Sequence, residues 1–131
     1  GGRMSARYSE PLFVISVAAR LVEMHPQTLR KYEKEGLIAP SRTTGNLRLY
    51  SDRDIERLRQ VKYLVEERGL NLAGVQLALE LTARLRDFRS RVEPGPEANG
   101  AATAFRRELD GVLAMLGYLD ERERRARRDD G

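Results

Sequence analysis

The sequence contains no cysteine and no tryptophan, and His25 is its only histidine. Without thiols there can be no disulfide, thiolate metal site, iron–sulfur cluster or cysteine nucleophile, and one imidazole leaves no second for a zinc site or a proton relay. Aromatic residues are scarce, five tyrosines and three phenylalanines in 131 residues, which points to a mainly helical chain with a modest core rather than a β-sandwich. Long apolar runs are missing too. The stretch Leu12 to Ile15 is far too short for a membrane span or a signal-peptide core, so the expected compartment is the cytoplasm, with no membrane partner. No nucleophile with a base, acid–base pair or phosphate loop emerges from the motifs, so the chain is not expected to be an enzyme, nor to need a cofactor or metal.

What the sequence does have is charge, unevenly placed. Up to Val75 there are 13 Lys plus Arg against 9 Asp plus Glu, and beyond it 11 against 11, so the whole excess of four positive charges lies in the first part. A basic part joined to a balanced part fits a polyanion partner for the first and a protein partner for the second. A solvated basic surface would give the same count. Arginine supplies 21 of the 24 cations, which suits bidentate phosphate and guanine contacts, although genome composition can produce the same bias.

Gly1 to Arg3 precede Met4 and read as a remnant of expression, within a flexible N-terminus over residues 1–10. Ser16 is placed to cap a short helix through Val22, and Glu23-Met24-His25 forms a break. Pro26 sits at a first helical position, and the second helix runs from Gln27 to Glu35 until Gly36 stops it. Two short helices with a three-residue joint make a helix-turn-helix candidate. Leu37 to Arg42 and Leu47 to Tyr50 flank Thr43-Thr44-Gly45-Asn46 and predict a two-stranded hairpin, a wing beside the helix pair. Ser51 with Asp54 opens a helix to Gly69, and Asn71 opens another up to Glu93. A loop over 93–101 and a final helix follow, and Phe105, Leu109, Val112, Leu116 and Leu119 form a short heptad-type seam.

On the second helix Gln27, Arg30, Lys31 and Lys34 share a face, while Leu29 and part of Tyr32 turn toward the first helix. Arginine can meet guanine through two hydrogen bonds, glutamine can do so with adenine, and lysine or tyrosine can hold phosphates. Arg42, Arg48 and Tyr50 put two cations and a phenol on the wing. An ordinary charged surface helix is the competing reading, and Glu33 and Glu35 support it. His25 stands at the N-cap, where it serves local structure or a DNA contact, and the lack of a second ligand argues against a metal.

Three ordered blocks, Ile15-Ser16-Val17-Ala18-Ala19, then Thr28 through Pro40, then Asn46-Leu47-Arg48-Leu49-Tyr50-Ser51, resemble those of MerR-family transcription regulators. The resemblance covers about Phe13 to Leu81. It implies a mainly α chain with a MerR-type winged helix-turn-helix domain over residues 11–81, C-terminal dimerisation helices over 82–131, and a homodimer on inverted-repeat operators in double-stranded DNA. Met24 to Arg30, with Gly69 to Val75, is similar to the heat-shock repressor branch, HspR, in which the chaperone DnaK acts as co-repressor. Carried over by position, the family pattern makes Thr28, Arg30 and Tyr32 contacts of the recognition helix, and Arg48 and Tyr50 contacts of the wing. Asn46 stands where glycine is frequent, His25 where serine usually caps, and Lys31 where an aromatic is usual. The family's metal sensors use cysteines, which this chain lacks, and its drug sensors carry a sizeable C-terminal domain.

The faces Leu77, Leu81, Leu85, Phe88, Val92 and Phe105, Leu109, Val112, Leu116, Leu119 each need a partner, either each other in a hairpin or a second copy across a two-fold axis. The run from Glu121 to Asp130 mixes both signs and reads as a solvated tail. The leading expectation is a nucleoid-associated repressor of chaperone genes. The alternatives are a MerR-type regulator of another stress response that distorts promoter DNA, and a helical module whose basic face binds an acidic protein.

Overall fold

The structure, a computed structural model, describes residues 7–92 and 100–119. Residues 1–6 of the expected N-terminus, 93–99 of the expected loop and the charged tail from residue 120 lie outside them. The chain divides into two compact units, with the boundary between Glu67 and Arg68.

In the first unit β1 (Phe13–Val14) leads into α1 (Ile15–Val22) and α2 (Pro26–Lys34), followed by β2 (Ser41–Arg42), β3 (Arg48–Tyr50) and α3 (Asp52–Glu66). The wing is a three-stranded antiparallel sheet of order β1-β3-β2, with Phe13 opposite Tyr50 and Val14 opposite Leu49, and Ser41 opposite Leu49 and Arg42 opposite Arg48. The sequence predicted only two of these strands. The third also corrects the start of α1: Val14, held extended by its pairing, precedes the helix and contributes no side-chain cap, and Ser16 lies inside it.

Ala18 and Ala19 are buried on α1 and let it approach both α2 and α3 closely. Val22, Leu29, Ile55, Leu58, Val61 and Leu64 complete this core with Leu37, Ile38 and Tyr50. Glu23 ends α1 in the left-handed conformation, φ 54°, and Met24 donates back to the Ala19 carbonyl at 3.0 Å. Cations of α3 cap this end from outside: Arg59 donates to the Leu21 carbonyl at 3.3 Å, and Lys62 Nζ donates to those of Val22 and Glu23 at 3.2 and 3.1 Å. The three-residue joint between the helices is thereby fixed to α3. Gly36, at φ 80°, ends the α2 turn, where Leu37 N–H donates to the Tyr32 carbonyl at 2.9 Å. A capping box opens α3: the Asp54 N–H donates to Ser51 Oγ at 3.1 Å, and the Ser51 N–H to Asp54 Oδ2 at 2.9 Å.

The second unit holds α4 (Leu72–Arg91) and α5 (Gly100–Met115). Asn71 caps α4 by accepting from the Gly74 N–H at 2.9 Å. This helix runs unbroken through residue 81, so the expected domain boundary there marks no interruption of the chain. The last helix begins at Gly100, inside the expected 93–101 loop. It turns back along α4, since Phe88 meets Phe105 edge to face at 6.1 Å between ring centres and Arg86 lies over the Tyr118 ring at 4.5 Å. Arg89 Nη1 donates to Asp110 Oδ1 at 2.8 Å, and these contacts hold that guanidinium above its usual pKa against the opposing effect of burial.

The heptad seam requires correction. Leu109 and Leu113 are the buried pair on α5, whereas Phe105 and Val112 are 51% and 37% exposed. The helix then stops at Met115, because Gly117 at φ 84° closes it with Tyr118 N–H donating to the Leu113 carbonyl and Gly117 N–H to that of Ala114, each at 3.0 Å. Leu116 and Leu119 therefore lie past the helix.

Candidate nucleic-acid interface

His25 is exposed at the N-cap of α2, and its Nδ1 accepts from the Gln27 N–H at 3.1 Å, so the imidazole replaces a hydroxyl as the cap. With Pro26 next in line, the helix starts at a fixed residue and its side chains take a fixed rotation. Leu29, fully buried, and Tyr32 anchor its inner face. Gln27, Arg30, Lys31 and Lys34 are all exposed and Thr28 half-buried, so the amide and the three cations expected on one face project from the unit together.

Two tyrosines do not belong to that exposed set. Tyr32 is 8% exposed and Tyr50 fully buried, with the Tyr50 hydroxyl buried and without a hydrogen-bond partner among the described residues. Burial raises the pKa of both phenols, and Glu66 and Glu35 add to the shift at Tyr32. The Tyr50 ring is a core residue of this unit.

The wing cations are organised by an acid. Glu33 Oε2 accepts from Arg42 Nη2 at 3.0 Å, and Glu33 Oε1 accepts from Arg48 Nε at 2.6 Å. Burial pushes the Glu33 carboxyl up, but the hydrogen bonds and charges of Arg48 and Arg42 outweigh it and hold the group below its ordinary value. Arg42 Nη1 also donates to the Asn46 carbonyl at 3.3 Å, and Asn46 takes the left-handed turn conformation at φ 67°. A helix and both strands of the hairpin thus converge on one carboxylate. In the sequence Glu33 is only a charge against DNA binding, because its distance from the wing cannot be read from helical spacing.

Among the described residues no group of His, Asp and Glu is placed to hold a metal ion, and no helix is long and apolar enough to cross a membrane. Arg30, Lys31 and Lys34 of α2 are exposed, and Arg42 and Arg48 of the wing are bridged to Glu33 of the same helix.

Comparison with known proteins bears on the same residues. A family model described as MerR HTH family regulatory protein matches residues 13–82. A Streptomyces coelicolor protein named as heat shock protein HspR is 49% identical over 105 residues, which cover 79% of this chain and 70% of that protein. The transcriptional regulator GlnR of Bacillus anthracis is 40% identical over 73 residues, 56% of each chain. The regulator MlrA of Escherichia coli is 36% identical over 69 residues, 52% of this chain and 28% of that one.

Proposed function

The chain belongs to the MerR family of helix-turn-helix transcription regulators, and from that premise we propose that it represses heat-shock genes by occupying an inverted-repeat operator as a homodimer. The observation that carries the DNA-binding part is the exposed set Gln27, Arg30, Lys31 and Lys34 on a helix whose start is fixed by His25 and Pro26. The heat-shock part is supported by the 49% identity to HspR, which extends past the helix-turn-helix domain into the second unit's helices. Two-fold symmetry of the protein predicts two-fold symmetry of the site, with half-sites spaced by whole helical turns.

Exposed apolar residues support the homodimer: Leu77, Leu81 and Phe88 on α4 with Val92 at its C-cap, and Phe105, Val112 and Met115 on α5. Leu109 leaves the expected dimer face, being buried within its own chain. In this reading DnaK is the co-repressor and the protein resides on the nucleoid in the cytoplasm. The test is recovery and sequencing of fragmented genomic DNA bound by the purified protein at near-physiological salt, with and without DnaK. Enrichment of an inverted repeat upstream of chaperone genes, strengthened by DnaK, is expected. Enrichment of unrelated promoters would discard the heat-shock assignment, and no enrichment in either arm would discard operator binding.

A further inference from the structure

Arg42 and Arg48 are directly opposite each other on adjacent antiparallel strands. Like charges in that position repel and weaken the pairing of the strands. Here each guanidinium meets its own oxygen of Glu33, at 3.0 and 2.6 Å, so one carboxylate from α2 bridges both and leaves the cluster with one net positive charge. The three side chains are only 34%, 26% and 19% exposed for Arg42, Arg48 and Glu33, which distinguishes this bridge from a freely solvated surface pair. Arg42 is further committed to the turn through the Asn46 carbonyl. Arg48 uses its Nε–H on Glu33, and guanidinium chemistry leaves it two Nη groups to offer a phosphate.

An acid on a DNA-facing surface ordinarily repels phosphate. Both oxygens of Glu33 are turned to arginines instead, and the pairing ties the wing to the helix that carries Arg30 and Lys34. We propose that Glu33 is a positioning residue for DNA binding, which holds Arg42 and Arg48 as one preorganised phosphate clamp in fixed register with the base-facing side of α2. The proposal rests on the DNA-binding reading above. It gives an unusual sign: removing a negative charge from the binding surface weakens specific binding, because the arginines must then be ordered at the moment of binding.

The test begins with selection of duplexes from random double-stranded DNA by the full-length wild-type protein. The most enriched duplex and a shuffled duplex are then titrated against wild type and Glu33→Gln over a salt series, at a temperature where circular dichroism shows both folded. The expected result is binding of the enriched duplex weakened about tenfold, the scale of losing a charged hydrogen bond. Its salt slope should fall by about one while the shuffled duplex binds no more weakly. Glu33→Asp keeps the charge but cannot span both guanidinium groups, so it should reproduce the loss, and it reads the same quantity if Glu33→Gln does not fold. Unchanged or tighter binding of the enriched duplex overturns the clamp. So does an equal loss on both duplexes with unchanged slope, which marks a role in stability alone, or a loss confined to one base pair, which marks direct reading of a base. If wild type enriches no sequence, the DNA-binding reading fails first and the clamp with it, a result separate from anything the variants show.

Discussion

Arg30 is exposed on α2, so its value to binding depends on what DNA offers. Arg30→Ala should lower discrimination between a selected operator and its single-base variants by about 1 to 3 kcal/mol, measured by competition titration. Equal losses on every duplex would reduce it to a phosphate contact. Glu33 supplies a pH dependence of known sign. Its carboxyl is held below the ordinary 4.5, so the bridge stabilises the fold above that value and the contribution disappears as pH falls through the lowered one. The melting temperature of wild type should exceed that of Glu33→Gln near neutral pH, and the two should converge in acid. A gap that stays constant down to acid pH would contradict the bridge. Tyr50 offers the opposite kind of test, since its buried hydroxyl has no hydrogen-bond partner among the described residues. Tyr50→Phe keeps the ring and removes an unsatisfied group, so thermal melts should show no loss or a small gain. A loss above about 1 kcal/mol would reveal a partner for the hydroxyl.

Among the elements, the joint between α1 and α2 carries the most visible strain. Glu23 adopts a left-handed conformation that costs an L-residue about 1 kcal/mol or more, and its role there is carried by backbone groups. Glu23→Gly should leave the stop intact and be neutral or stabilising by up to about 1 kcal/mol in denaturant unfolding, the relief of strain being partly offset by glycine's greater freedom in the unfolded chain. Loss of stability would show that the Glu23 side chain matters to the joint. Helix starts were legible wherever a side chain makes them: His25 before Pro26, Ser51 with Asp54, and Asn71 all occupy the caps that their types imply. The start of α1 was not, because it is made by pairing of the two-residue strand Phe13–Val14 with Leu49 and Tyr50, far along the chain, and so short a strand has no alternation to read. The seam of α5 failed for another reason. Leu109 fits both a 3-4 heptad with Phe105 and Val112 and a simple i, i+4 pair with Leu113, and only the partner helix decides between them.

At the scale of the whole molecule the exposed apolar residues of α4 and α5 set the strongest expectation. Leu81 is 45% exposed, so Leu81→Glu should leave each chain folded while charging the expected dimer face. Sedimentation should then show monomers, with operator affinity reduced by about a hundredfold or more through loss of the linked second half-site. A dimer that survives the substitution would place the association elsewhere. The cationic face of α2 was legible in full because helical spacing alone generates it, whereas the Glu33 bridge joins residues of different elements, which spacing within one element cannot predict. The pairing of β1 with β3, continued by the Leu12 N–H donating to the Tyr50 carbonyl at 3.0 Å, also limits how the chain can be shortened. Cutting between Val14 and Ile15 would spare α1 to α5 and still strip one edge of β3, turning a covered strand into an open template for another chain. Solubility of truncated forms, rather than their helix content, should therefore mark the true N-terminal limit of the domain.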